Sequence, residues 1–400
     1  MHRETLTPRP DWRAKVEALG LDFHTSQGAT EGEPYWWEAA CYAFSAAEID
    51  QIEEATEALH QLCLEAVERI VAGGDLGRLD IPEPFWPWVA QSWRRRDPDL
   101  YGRFDLVFDG SSPPKMLEYN ADTPTALLEA AVVQWYWLEE VKPGCDQFNS
   151  IHEKLIAAWA ELRRLHPDTA RVHFAGVLDE PEDLRTLDYL RDVCGQGGWP
   201  TEQLDIAQLG WNGAAFTDLA ERPITALFKL YPWEWMLRES FGSHLLADCA
   251  AFIEPPWKMV LSNKAILPIL WEMFPGHPNL LPAAFARDQV PGPVVEKPVH
   301  GREGKGVRLL GAGDAGSAHR SIVYQAACPL PVYDGMHALI GSWIIAGKAA
   351  GIGLREDKAP VTTNASRFVP HYFRGEARDI PCPQGIFSSP CRKCQESLGF

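Results

Sequence analysis

No uninterrupted apolar run in this 400-residue chain reaches the roughly 18 residues that a bilayer-spanning helix needs. Its start, MHRETLTPRPDWRAKVEALG, lacks the apolar stretch of a secretory signal. Both absences point to a soluble, cytoplasmic protein without a membrane partner. Basic residues are scarce: 37 Lys and Arg against 55 Asp and Glu leave a net charge of −18. That balance argues against nucleic acid, because phosphate contact needs basic patches. A small cationic substrate such as a polyamine would be drawn to the acidic field, although acidity serving solubility alone is the plainer reading. The nine cysteines are odd in number and scattered, as reduced thiols are. The one close pair, Cys391 and Cys394, has no second CxxC to complete a zinc site and reads as part of a poorly ordered end. GxSxG and HExxH are both missing, the twelve histidines lack ligand spacing, and no GK[ST] opens a helix.

What the chain does have is apolar mass. With 46% hydrophobic residues, 16 Trp and 17 Phe it is globular, and its length suggests two or three lobes around a large core. The richest stretch runs from Tyr101 to Thr125, YGRFDLVFDGSSPPKMLEYNADTPT. It reads as two strands with period-two alternation around a Ser/Pro turn. Residues at i and i+2 share a strand face, which joins Arg103 to Asp105 and Glu118 to Asn120. Two carboxylates, an amide oxygen and a guanidinium then project together. Such hard oxygen ligands suit Mg²⁺, which keeps waters and substrate phosphates as its other ligands. The pattern alone leaves a second reading open, a cross-strand salt bridge on a solvated hairpin.

A second constellation, VVEKPVHGREGKGV from Val294 to Val307, delivers Lys297 on a strand and then Gly301, Gly304 and Gly306 in a loop. Backbone N–H groups of such a loop close over an anion and Lys supplies a point charge, yet a plain β-turn has the same pattern. Two further segments stand out: Gly351 to Asp357, a strand ending in Arg355 and then two acids, which also reads as a surface charge cluster, and Phe228 to Trp235, which also reads as a buried aromatic strand end.

The remaining elements follow from period and punctuation. Trp12, Val16, Leu19 and Leu21 give a short amphipathic start, and Tyr35-Trp36-Trp37-Glu38 is expected near the surface or an interface. Ser45 with Glu48 opens a capping box for a long helix through about Val71, which Gly73-Gly74 ends. Helices are expected at Thr125 to Val141 and at Asn149 to Leu165. Strands near Val172, Gln203 and Ile224, with a helix from Pro181 to Cys194, predict a small parallel sheet. An Asn263-Lys264 turn leads into an apolar helix, Pro278 to Pro293 is linker-like, and strands are expected at Ser321 to Gln325, Met336 to Ala346 and Lys348 to Leu354.

Taken in order, RFD … EYNADTPT … NKAILPILWEMFP … EKPVHGREGKGV … YQ … LREDK resembles the glutathionylspermidine synthase family in its stand-alone synthetase form. The resemblance covers roughly Trp12 to Phe373. It implies an α/β (α+β) ATP-grasp-type fold with a discontinuous core and a small pre-ATP-grasp lobe. It also implies ATP- and Mg²⁺-dependent joining of a carboxylate, such as a glutathione-like peptide, to an amine, such as spermidine, through an acyl phosphate. By position, Asp105, Glu118 and Asn120 would hold Mg²⁺, while Arg103 and Arg355 would meet the transferring phosphoryl group. Lys264 and Lys297 would contact ATP phosphates, Glu303 and Gly304 would close over the nucleotide, and Gln325 and the backbone through Cys328 would lie near the adenine. Thr123 and Thr125 would touch the acid, and Glu182 and Asp183 would bind the acid's amino end or the amine. The loop reads GREGKG, as in the acid–amine ligase branch. The bifunctional relatives add an N-terminal amidase; this chain starts at the synthetase, so amide hydrolysis is not expected.

The domains expected are 1–164 with the metal hairpin, a small lobe at 165–225, 226–385 with a lid at about 265–330 that should be mobile without nucleotide, and a tail at 386–400. Two other outcomes remain open: a ligase joining amino acids, and a non-catalytic nucleotide-binding module.

Overall fold

Ser45 opens the longest helix, Ala46–Gly73. Its side chain accepts from the Glu48 amide while the Glu48 carboxylate accepts from the Ser45 amide, and Gly74 ends the helix in the left-handed conformation. The buried residues Ile49, Ile52, Leu59, Cys63, Ala66, Val67 and Ile70 fall on one stripe. That stripe lies against the main sheet, where Thr56 and Ser342 share a hydrogen bond of 2.6 Å. Complete burial of a single side chain such as Leu59 contributes about 2 kcal/mol. The computed structural model describes residues 1–25, 34–302, 304–317, 319, 321–363 and 366–374.

The main sheet is antiparallel, in the order Arg367–Val369, Lys348–Asp357, Met336–Ile345, Tyr101–Val107, Lys115–Asn120. Lys115–Asn120 is therefore an edge strand, and a second antiparallel sheet stands beside it. This second sheet takes the order Ala283–Ala284, Ile322–Ala326, Val294–Pro298, Arg308–Leu310. A four-stranded parallel sheet runs Ala251–Ile253, Ala226–Leu230, Val172–Gly176, Thr201–Asp205, with the helix Pro181–Gln196 as a crossover. Its strands reach well past 225, the edge expected for the small lobe. A three-stranded sheet joins both ends of the described chain: Ala40–Ser45 lies between His2–Thr5 and His371–Arg374. Among the described residues no helix is long and apolar enough to cross a membrane.

Two expectations need correction. Tyr35 and Trp36 lie in the core rather than near the surface: Trp36 stacks on Phe368 with ring centroids 5.6 Å apart and donates to buried Glu38 at 3.0 Å. The partner that covers it is distant in sequence, so no local pattern betrays it. The stretch Pro278 to Pro293 is not a linker. Asn279 is buried there, its amide nitrogen donating to the Pro114 carbonyl at 2.8 Å and its own carbonyl accepting from the Met116 amide, and Ala283–Ala284 pairs with Tyr324 and Gln325. The Cys391/Cys394 tail and Glu303 lie outside the described residues.

Candidate active site between the hairpin and the second sheet

Strand register assembles the first part of the site. Arg103 pairs with Asn120 and Asp105 with Glu118, so the four polar side chains occupy one patch of the hairpin. The opposite face is apolar: Phe104 stacks on Tyr119 with ring centroids 3.9 Å apart. Arg103 Nε donates to Asp105 at 2.8 Å, and its Nη1 donates to the Thr125 carbonyl at 2.6 Å. Gly341 makes room for this arginine on the neighbouring strand, since a Cβ there would meet Arg103 Cδ at 2.8 Å.

A β-bulge follows. Asp105 pairs with Glu118 but Leu106 pairs with Met116, leaving Leu117 out of register. The Leu117 carbonyl instead accepts from Lys297 Nζ at 2.9 Å, and Lys297 also donates to Gln325 at 2.7 Å. Gln325 in turn donates to the Met116 carbonyl at 3.0 Å. The free edge of the hairpin is thus the surface on which the second antiparallel sheet rests. Lys264 comes from a turn in which the Asn263 side chain accepts from the Ala265 amide and donates to the Met259 carbonyl. Its Nζ lies 3.0 Å from Glu118 and 2.6 Å from the Gly301 carbonyl.

Arg103, Asp105, Glu118, Asn120, Thr123, Thr125, Lys264, Gly304 and Arg355 line one cleft of about 970 Å³, counting its open mouth. Lys297 and Gln325 lie buried behind this wall, against the bulge. Glu182 and Asp183 are not among the lining residues and sit in the first turn of the small-lobe helix. The charge of Glu182 nevertheless acts on a second acidic group. Buried Glu129 accepts from Tyr35 Oη at 2.7 Å; its carboxyl is pushed up to about 7 by burial and then by Glu182, with Arg355 opposing.

The charges in the cleft are tuned by their neighbours. Burial works to raise Glu118, but Lys264 and Lys297 outweigh it and hold this carboxyl down at about 2. Burial raises Asp105, against the pull of Arg103 and with the help of Glu118. Burial also brings Lys297 down to about 8. Among the described residues no group of three His, Cys, Asp or Glu could hold a metal by itself. The donor set is instead two carboxylates and one amide oxygen, which fits Mg²⁺ completed by waters and phosphate oxygens.

Three participants are not apparent from the sequence pattern. Arg302 lines the cleft, and its Nη1 donates to Thr123 Oγ1 at 2.7 Å. Its place inside the GREGKG loop, a cation among closely spaced glycines, was the available signal. Glu129 carries none, being one acid in an apolar helix. The third, Asp122, accepts from Lys229, far along the chain.

Comparison with known proteins adds an independent finding. Residues 3–374 match the family described as "Glutathionylspermidine synthase preATP-grasp". A putative acid–amine ligase of Haemophilus influenzae is 42% identical over 394 residues, covering 93% of this chain and 100% of the relative. Trypanothione synthetase of Crithidia fasciculata is 29% identical over 367 residues, covering 81% of this chain; the chain spans 55% of that relative's length. Among solved structures, a glutathione synthetase-like effector of Globodera pallida superposes with a TM-score of 0.54 at 11% identity, covering 92% of this chain and all of that one. That likeness shows the fold alone: α/β, of the glutathione synthetase type, in keeping with the ATP-grasp-type fold expected from the motifs.

Proposed function

We propose, since this chain belongs to the glutathionylspermidine synthase family, that it is an ATP- and Mg²⁺-dependent carbon–nitrogen ligase of the cytoplasm. It would join a glutathione-like peptide acid to a polyamine such as spermidine. The observation that carries this reading is the register of the hairpin, which sets Asp105 beside Glu118 and Arg103 beside Asn120, facing Lys264 across the cleft.

In the proposed reaction the γ-phosphoryl group of ATP passes to the substrate carboxylate. The amine nitrogen then attacks the acyl carbon, phosphate leaves, and an amide remains beside ADP. Asp105, Glu118 and Asn120 would hold Mg²⁺, which when bound screens the phosphate charges and orients the reacting groups. Arg103 and Arg355, both lining the cleft, supply fixed positive charge where the phosphoryl group moves. Lys264 would exchange its contacts with Glu118 and the Gly301 carbonyl for phosphate oxygens. Lys297 would reach the same phosphates, Gln325 and the backbone through Cys328 would border the adenine, and Glu303 with Gly304 would cover the nucleotide. Thr123 and Thr125 would receive the acid, and Glu182 with Asp183 an ammonium group. The division into hairpin core, small lobe and nucleotide lid belongs to the same reading, with the small lobe extended to the strand that ends at Ile253.

The test is phosphate release from ATP and Mg²⁺ over carboxylates crossed with amines. Release that needs one peptide acid and one polyamine together is expected. Glu118→Gln and Asp105→Asn should each lose roughly a hundredfold or more in that rate with circular dichroism unchanged. Tight ATP binding without turnover on any pair would instead favour a nucleotide-binding module. Release with amino-acid pairs only would assign a different amine and acid.

A further inference from the structure

We propose that the buried Lys229–Asp122 ion pair is a positioning joint, locking the small lobe to the metal hairpin so that the segment from Asp122 to Thr125 stays shaped for the acid substrate. Lys229 is the last residue but one of the strand Ala226–Leu230 and its side chain is fully buried. Its Nζ pairs with Asp122, donates to the Tyr231 carbonyl at 3.0 Å and lies 4.2 Å from the centroid of the Trp233 ring. The other Asp122 oxygen accepts from the Trp233 amide at 3.0 Å. One carboxylate therefore holds both the end of the small-lobe strand and the turn after it.

The location of Asp122 gives the pair its meaning. Asn120, two residues before it, belongs to the donor set proposed for the metal. Thr123, the next residue, meets Arg302 from the lid, and the Thr125 carbonyl accepts from Arg103 on the main sheet. Six residues, Asn120 to Thr125, are thus tied to the hairpin, the small lobe and the lid. Asp122, Thr123, Thr125, Pro232 and Glu234 all line the cleft, so the joint lies in the wall itself.

Stability alone is a weak reason for such a pair. Removing two charges from water offsets most of their attraction, and well-packed apolar residues usually serve as well. Burial pulls the Lys229 ammonium down from its ordinary value while Asp122 opposes, the signature of that cost. What a buried pair does supply is a single register, because any displacement strands a charge without its partner. Trp233, packed edge-on against Trp88 and Phe252, anchors the far side of the joint in the core.

The inference rests on the proposed function only in naming the occupant of this wall as the acid. The test uses Lys229→Met and, since an unpaired buried Asp122 can prevent folding, the double variant Lys229→Met/Asp122→Asn, which keeps an acceptor for the Trp233 amide. The expected result is a KM for the acid raised roughly tenfold or more, with the KM for ATP within about twofold. Hydrogen exchange of the amides from Ala121 to Thr125 should quicken in the same variants, while the hairpin amides keep their protection. A folded double variant with the wild-type KM for the acid and wild-type exchange over that segment overturns the proposal. If the wild-type protein turns over no acid–amine pair, the ligase reading fails by itself and exchange alone decides the joint. Unchanged protection then refutes it, and faster exchange upholds it.

Discussion

Glu129 shows how a single side chain links burial to pH. Its folded value of about 7 lies above that of an unfolded glutamate, so the unfolded chain releases its proton first as pH rises. The stability present below about pH 4.5 is lost progressively up to about pH 7, by as much as ~3 kcal/mol, and is constant thereafter. Glu129→Gln should flatten that part of the profile. Urea unfolding at several pH values, compared between wild type and variant, checks this, because buried Glu254, also raised to about 7, contributes equally to both. Parallel profiles would show that Glu129 does not titrate in this way. The same residue marks a limit of reading side chains from sequence. Arg103, Asp105, Glu118 and Asn120 were legible because strand period dictates which side chains share a face. Glu129 was not, and neither was the pairing of Asp122 with Lys229, although those two lie in segments that stand out, because burial and pairing across the chain leave no local trace.

At the scale of elements, caps and glycines can be tested one by one. Ser45→Ala removes the side-chain acceptor for the Glu48 amide and should cost about 1 kcal/mol, read from the denaturation midpoint. Gly304 has a φ of +70°, and a Cβ there would meet the Thr362 carbonyl oxygen at 2.8 Å. Gly304→Ala should therefore displace the lid loop and raise the KM for ATP roughly tenfold. Gly313→Ala, where a Cβ meets nothing within 4 Å, should leave it unchanged. Equal effects of the two substitutions would remove the lid from the argument. The long helix was legible down to its cap because Ser45, Glu48 and Gly74 are local signals. The strand Ala40–Ser45 was not: five of its six residues are buried, so no alternation betrays it. The pair Ala283–Ala284 is too short to show any period, and only its partners make it a strand.

For the whole molecule, the net charge of −18 predicts opposite salt responses for the substrates. Raising salt from low to physiological ionic strength should lower kcat/KM for a polycationic amine several-fold, and should not lower it for the anionic acid. Steady-state kinetics at fixed pH measures both, and identical slopes would leave the acidity as a matter of solubility. The three-stranded sheet that gathers both ends of the described chain has a consequence of another kind. His2 and Tyr372 both lie beside Ala43, on opposite sides of the same strand. The first strand runs antiparallel to Ala40–Ser45 and the last runs parallel to it, so residues 1 and 374 emerge at one end of the sheet, roughly 10 Å apart. Residues 1 and 374 thus bring the described part of the backbone close to a closed ring. Joining residue 374 to residue 1 through a short flexible segment, with residues 375–400 left off, and opening the ring at the exposed turn near Asn212 would reorder the sequence while every described strand keeps its neighbours.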